Sequence, residues 1–490
     1  MANLTAERRA SLVQALSLRT GHVDESTSPR IIFPVPEHLR ALEAEVVLVV
    51  GDRGAGKTQL KNAFNNPDVR AALVRHAPGV RVPSGHVDWI AGWPLGTGGP
   101  DSGGWRSLLN RSPMGSDDRI AIWSAYLLRS VGQHLTAAEK DENAGVFDAR
   151  AVDARAVLEA HRQAGVAVTA SLDALDERLT SQNRWLFVAY DELDTIVLDD
   201  WETMGIAIRG LVSFWAAYAR RWKRLRPKIF LRSDFYKHHR DIAGADVAKL
   251  AGNRVELQWS EKNLYGALLK HIINLQDATG ECQLRAYFAK AVRTTSDPVL
   301  GEIPILAKAT DAKPFVDRLV SEYMGANKGK GLSFRWILDH LRDGTGHALP
   351  RSLVWLIEFA AEIERDQPRA SGAHLLHHVS IRNALDRVSS EYVNQAKTHE
   401  FRWLDGLGTR LQRDREVPWK RRELAKLLDS DFEGSWSITG ARPPGLDADQ
   451  LLDNLVELGV LRARANDLFD VPDLYLQGFD LRRKGGVAKK

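Results

Sequence analysis

A single cysteine, Cys282, in 490 residues excludes an intramolecular disulfide and any zinc site built on thiolates. A reducing compartment follows, and the cytoplasm is the expected location. Long hydrophobic runs are missing as well. No stretch approaches roughly 18 uncharged apolar residues, so no transmembrane helix is expected. The first ten residues, Met1 to Ala10, lack the apolar core of a secretory signal. A large excess of charge of one sign is absent too. The net charge of +4 permits contact with nucleic acid but is too small, for this length, to demand it. No Ser-His-Asp or Cys-His nucleophile shows by local signature. No cysteine or carboxylate completes a ligand set around His238-His239 or around His374, His377 and His378, so no metal other than Mg2+ is expected.

What is present is a soluble composition, 44% apolar and 27% charged, in a chain long enough for about three domains. Residues 51–58 read Gly-Asp-Arg-Gly-Ala-Gly-Lys-Thr and follow the apolar run Val46-Val47-Leu48-Val49-Val50. That is a complete G-x-x-x-x-G-K-T phosphate loop between a buried strand and a helix. Gly51, Gly54 and Gly56 let the backbone turn tightly, so that successive N–H groups aim at a β-phosphate. Asp52, Arg53, Ala55 and Gln59 complete the set of nucleotide-binding positions. Lys57 brings a point charge to the β- and γ-phosphates, and the Thr58 hydroxyl suits Mg2+. ATP with Mg2+ is the expected ligand.

A second motif, Trp185-Leu186-Phe187-Val188-Ala189-Tyr190-Asp191-Glu192, is an apolar strand ending in two acids. Paired with the loop, it reads as a Walker B strand. Asp191 holds Mg2+ through water, and Glu192 orients and deprotonates the attacking water. Asp194 either supports the two acids from behind or, the favoured reading, caps the following helix. A long helix over about 201–225 leads to a third strand, Lys228-Ile229-Phe230-Leu231-Arg232, and Arg254 to Trp259 gives a fourth that closes the core. Arg232 stands at that strand's end either as a salt-bridge partner of Asp191, Glu192 or Asp234 or, by resemblance to AAA and STAND ATPases, to read the γ-phosphate. Residues 76–117, rich in Gly and Pro, read as irregular. Their Asp101-Ser102-Gly103-Gly104-Trp105 superficially resembles an ABC-type signature. That reading is rejected because Asp191 lies more than eighty residues on and no helical pattern follows at once.

Residues 1–30 read as a polar, peripheral segment, and 31–262 as the core; Phe33 and Pro34 belong either to an ordinary lead-in strand or, as in many P-loop ATPases, to the wall beside the base. Residues 263–395 read as an all-helical lid, in which Pro350 opens a helix and Arg351 follows it. Residues 396–490 have a winged-helix rhythm. Helices at 420–428 and 447–458 precede a hairpin that pairs Val460–Arg464 with Leu468–Val471 around Asn466-Asp467.

This order of loop, Asp-Glu strand, Arg-bearing strand, lid with Pro-Arg and winged helix resembles AAA/STAND-type P-loop ATPases. The stretches Phe187–Asp194, Lys228–Tyr236 and Gln258-Trp259-Ser260 are similar to those of bacterial P-loop ATPases of genomic and defence islands. The resemblance covers about 31–480. It implies an α/β P-loop NTPase core, a parallel sheet flanked by helices, followed by an all-α lid and a C-terminal winged-helix domain. It also implies that the third strand lies between the first and the Walker B strand, that Arg351 reaches the nucleotide, and that an inter-subunit arginine finger exists, with Arg240 and Arg254 as its candidates. The function it implies is an ATP-hydrolysing, nucleotide-driven switch or homo-oligomeric regulator of a partner protein, in an anti-phage defence setting.

Two rivals stand beside it: a DNA-dependent ATPase or loader of initiator type, and a non-hydrolysing nucleotide-bound scaffold. The basic cluster Arg220-Arg221-Trp222-Lys223-Arg224-Leu225-Arg226-Pro227-Lys228 is the strongest nucleic-acid signal, with the end of a helix entering a strand as its favoured reading. Asp449, Asp453 and Glu457 place an acidic stripe on the presumed recognition helix, which disfavours a DNA groove. Arg462 and Arg464, with Arg482, Arg483, Lys484, Lys489 and Lys490, are the remaining backbone contacts.

Overall fold

The structure is a computed structural model that describes residues 4–17, 28–110, 115–197, 201–240, 250, 252–276, 280–399, 401–429, 432–434, 436–437, 440–445 and 447–484. The chain divides into two compact units, one of Pro34–Gln258 and one of Met1–Phe33 with Trp259–Lys490. Among the described residues no helix is long and apolar enough to cross a membrane.

The first unit is built on five parallel strands: β1 (Leu48–Val50), β2 (His86–Trp93), β3 (Arg184–Tyr190), β4 (Leu225–Leu231) and β5 (Arg254–Glu256). Their spatial order is β2-β3-β4-β1-β5. β4 therefore lies between the loop strand and the Walker B strand, as the resemblance implies. β1 is buried along its whole length, and so is most of β3 and β4. Strands covered on both faces read as continuous apolar runs; β1 and most of β3 do, while β4 carries Arg226 and Lys228 among its apolar residues.

β2 did not, and it corrects the reading of 76–117 as irregular. It is an edge strand carrying His86, Asp88 and Gly92, so polar residues break its apolar pattern. Gly92 is required there, because a Cβ would fall 2.6 Å from the Tyr190 ring and from Val188. A helix, Ser102–Asn110, also opens at the Asp101-Ser-Gly-Gly segment, contrary to expectation; only the spacing to Asp191 now separates it from an ABC signature. Helices Ser116–Ser130, Ala154–Ala164 and Ala167–Ser181 follow, and an aromatic cluster of Trp93, Trp105, Trp123, Tyr126, Tyr190 and Trp215 is buried with them.

The basic cluster at 220–228 is largely absorbed by this unit. Arg221 pairs with Asp173, and the Trp222 indole donates to the same carboxylate at 2.9 Å. Arg224 lies 4.3 Å over Trp185. Arg226 donates to Ala44 O and Trp222 O, and Lys228, fully buried, donates to Glu43 O and Val46 O. β4 starts at Leu225 rather than Lys228, which draws these cations into the sheet.

The second unit is mainly helical. Helix Ala6–Leu16 buries Leu12, Val13, Ala15 and Leu16 and packs on helix Pro350–Asp366, so this part of the N-terminal segment is core and not periphery. Phe33 sets its ring on Gly266, in helix Glu261–Ile273. The helical stretch carries one antiparallel hairpin, β6 (Thr294–Asp297) and β7 (Gly301–Pro304). Asn274 seals β7 by accepting from Glu302 N and donating to Glu302 O.

At the C-terminal end, β8 (Glu416–Val417) and β9 (Trp419–Lys420) follow helix Leu404–Leu411. Helices Arg421–Asp429 and Ala448–Glu457 come next, then β10 (Arg462–Arg464), β11 (Leu468–Asp470) and β12 (Arg482–Arg483). β10, β11 and β9 form an antiparallel sheet, with Asn466 and Asp467 left-handed in the turn. Helix, strand, two helices and a two-stranded hairpin thus follow one another in the order expected of a winged helix.

Candidate nucleotide site

The loop 51–58 joins β1 to helix Lys57–Asn65, where Gly56 is the N-cap. Gly54 and Gly56 have φ of +84° and +97°, values that a side chain would strain. The helix N-terminus aims its unpaired N–H groups into the turn, the arrangement that suits a phosphate. Lys57 Nζ spans the loop, donating to Gly51 O at 2.7 Å and Asp52 O at 3.1 Å. Burial and the Arg232 guanidinium pull the Lys57 ammonium below its ordinary range, while Asp194, Asp191 and Asp234 oppose the shift. These groups, from β1, β3 and β4, thus share one electrostatic neighbourhood at the C-terminal ends of the strands.

Asp191 ends β3 and is 1% exposed. Among the described residues its Oδ2 accepts no hydrogen bond, and Lys61 Nζ lies 3.4 Å from it. A buried carboxylate oxygen left open in this way fits a cation, bare or hydrated. Thr58, at the second position of the loop helix, supplies the hydroxyl for the same ion. Glu192, the next residue, is exposed and has a φ of +52°. Left-handed backbone at a non-glycine residue costs energy and clusters at functional sites. Asp52, Arg53, Ala55 and Gln59 lie in or directly after the loop.

Arg232, 7% exposed, makes the salt-bridge arrangement. Its Nε and Nη2 grip Asp234 at 3.1 and 2.6 Å, and Nη1 reaches Asp194 at 3.1 Å. Asp194 is therefore not a helix cap; it sits in the short turn Leu193–Thr195 and faces β4. Arg254 is engaged by Glu256 and by the Tyr236 hydroxyl. The Arg240 side chain, with those of His238 and His239, lies outside the described residues. Arg351 is the second residue of helix Pro350–Asp366, in the other unit, with its guanidinium 6.0 Å from the Trp355 ring centroid. His374 bonds Asp317 O through Nδ1 at 2.8 Å. Sequence reasoning missed Lys61; its position four residues after Lys57, on one helix face, was the available signal.

The C-terminal cations are engaged as well. Arg464 and Arg483 both pair with buried Asp470, Arg482 with Glu416, and Arg462 donates to Asp343 O. The acidic stripe is partly covered: Arg421 bonds Asp449 and Asp453 at 3.1 and 3.0 Å. Lys489 and Lys490 lie outside the described residues.

A phosphate loop on the first of five parallel strands, with an acid-tipped strand two places away, defines the core as that of a P-loop nucleoside triphosphatase. No protein-family model and no curated protein matches the chain. Solved structures with a related chain course include the ORC2 protein of Aeropyrum pernix in ADPNP–ADP complexes, 15% identical with a TM-score of 0.40, covering 89% of this chain and 87% of that one. A Walker-type ATPase of Pyrococcus abyssi is 14% identical with a TM-score of 0.39, over 94% of this chain and 99% of that one. These are loose likenesses, and the class of the core rests on its own strand order and loop.

Proposed function

We propose that this chain binds Mg·ATP in the loop 51–58 and hydrolyses it as a nucleotide-driven switch of the AAA/STAND type. The observation that carries the reading is the convergence of Lys57, buried Asp191 and strained Glu192 at one end of the sheet. Lys57 and the loop N–H groups hold the phosphates, Thr58 and Asp191 hold the metal, and Glu192 takes the proton of the attacking water. The metal supplies charge stabilisation at the phosphates. In this reading Arg232, held by Asp194 and Asp234, registers loss of the γ-phosphate. Arg351 serves the nucleotide from the lid.

In this proposal residues 263–395 act as lid and 396–490 as the winged-helix output domain, and the partner is a protein effector or further copies of the chain. An effector in defence is supported by sequence resemblance alone. A second reading, a DNA-dependent ATPase of initiator type, gains from Arg421, which covers two acids of the stripe that disfavoured DNA. ATP turnover with and without duplex DNA, at two salt concentrations, separates the two. Turnover that rises with DNA and falls steeply with salt favours the initiator reading. Turnover indifferent to DNA, with a mass increase on adding ATP, favours the switch. Tight nucleotide binding without turnover under any condition leaves the scaffold.

A further inference from the structure

Among the described residues three cations, Lys57, Arg232 and Lys61, lie in the neighbourhood of the Walker B carboxylate, and two of them are committed elsewhere. Lys57 Nζ is spent on Gly51 O and Asp52 O, and Arg232 is held by Asp194 and Asp234. Lys61 is the third. It sits one helical turn beyond Lys57, and its Nζ is 3.4 Å from Asp191 Oδ2, the oxygen that accepts no hydrogen bond. An ionised carboxylate withdrawn from water needs a counter-charge.

We infer that Lys61 is the counter-ion of Asp191 in the metal-free protein and competes with Mg2+ for that carboxylate, setting the metal concentration at which Mg·ATP binds. The inference rests on Asp191 being the metal-side acid. Two positive charges cannot share one buried oxygen without repulsion, so metal entry requires the ammonium to leave. The side chain suits an exchangeable role. It keeps 23% exposure while its partner has 2%, so its head has a route out. A flexible four-carbon stem gives up a point contact more readily than the planar, bidentate fork of arginine.

The test is calorimetric titration of ATP at stepped MgCl2 concentrations, on wild type, Lys61→Gln and Lys61→Arg. The Mg2+ midpoint falls about three- to tenfold in Lys61→Gln, with binding in EDTA unchanged, and stays at or above the wild-type value in Lys61→Arg. An unmoved or raised midpoint in Lys61→Gln overturns the inference. So does equal loss of binding in EDTA and in Mg2+, which would assign Lys61 to the phosphates. A second arm needs no nucleotide: thermal melting of Lys61→Gln, Asp191→Asn and the double variant, with and without MgCl2. Lys61→Gln lowers the melting temperature, MgCl2 alone restores it, and Asp191→Asn removes the difference. Strict additivity of the two substitutions overturns the pairing. Absence of ATP binding by wild type defeats the proposed function, while the melting cycle still decides the pair.

Discussion

Arg232 Nη1 lies 3.1 Å from Asp194 Oδ2, which ties the end of β4 to the turn that follows β3. The same guanidinium holds Asp234 through two parallel bonds. Its charge is also felt by Lys57, so the arginine is coupled to the phosphate loop.

Truncating that arginine leaves two carboxylates facing each other without their shared cation. Arg232→Ala is expected to cost about 3 kcal/mol of stability, on the scale of broken buried ion pairs. Arg232→Lys should recover less than half, because a point charge cannot make the bidentate grip on Asp234. Urea unfolding followed by tryptophan fluorescence measures both.

Lys270 gives the second unit a pH dependence. Its ammonium is buried against Leu300 O at 2.6 Å and Glu302 O at 3.3 Å. Burial, opposed by Asp297 and Glu302, pushes its pKa down to about 7. Between that value and the ordinary lysine value of about 10.4, the unfolded chain binds a proton that the folded chain does not. The contribution of Lys270 to stability therefore rises with pH across this window, by at most about 1.4 kcal/mol per pH unit. Below pH 7 both states are protonated and its burial penalty is fully present. Lys270→Met removes the slope, which urea midpoints at pH 6.5, 8 and 9.5 compare directly with wild type.

Arg421 covers Asp449 and Asp453 on an exposed face, where ion pairs contribute little. Arg421→Ala is expected to change stability by less than about 1 kcal/mol while restoring the acidic stripe. If the chain binds DNA through this helix, binding weakens at least about tenfold in low salt. Fluorescence anisotropy with a labelled duplex measures it. Unchanged binding places any DNA contact elsewhere.

The loop, the acid-tipped strand and the C-terminal hairpin were legible because each is local. β1 and most of β3 are unbroken apolar runs, a phosphate loop is one octapeptide, and a hairpin turn is set by Asn466 and Asp467. What escaped was set by neighbours distant in sequence. β2 was hidden because an edge strand can carry His86, Asp88 and Gly92 without loss. Lys228 read both as the end of a basic cluster and as the start of a strand, and its partners, Glu43 O and Val46 O, lie far away in sequence. Asp194 looked like a cap until sheet order brought it to Arg232, and Asp449 looked bare until packing supplied Arg421.

The most direct test of the account is the Glu192→Gln variant, measured for ATP affinity by calorimetry and for ATP turnover in the same buffer. The account predicts wild-type affinity with turnover reduced about 10²- to 10⁴-fold, the range lost with a general base. Turnover equal to wild type in Glu192→Gln, or ATP binding that survives Lys57→Ala at wild-type affinity, would contradict it.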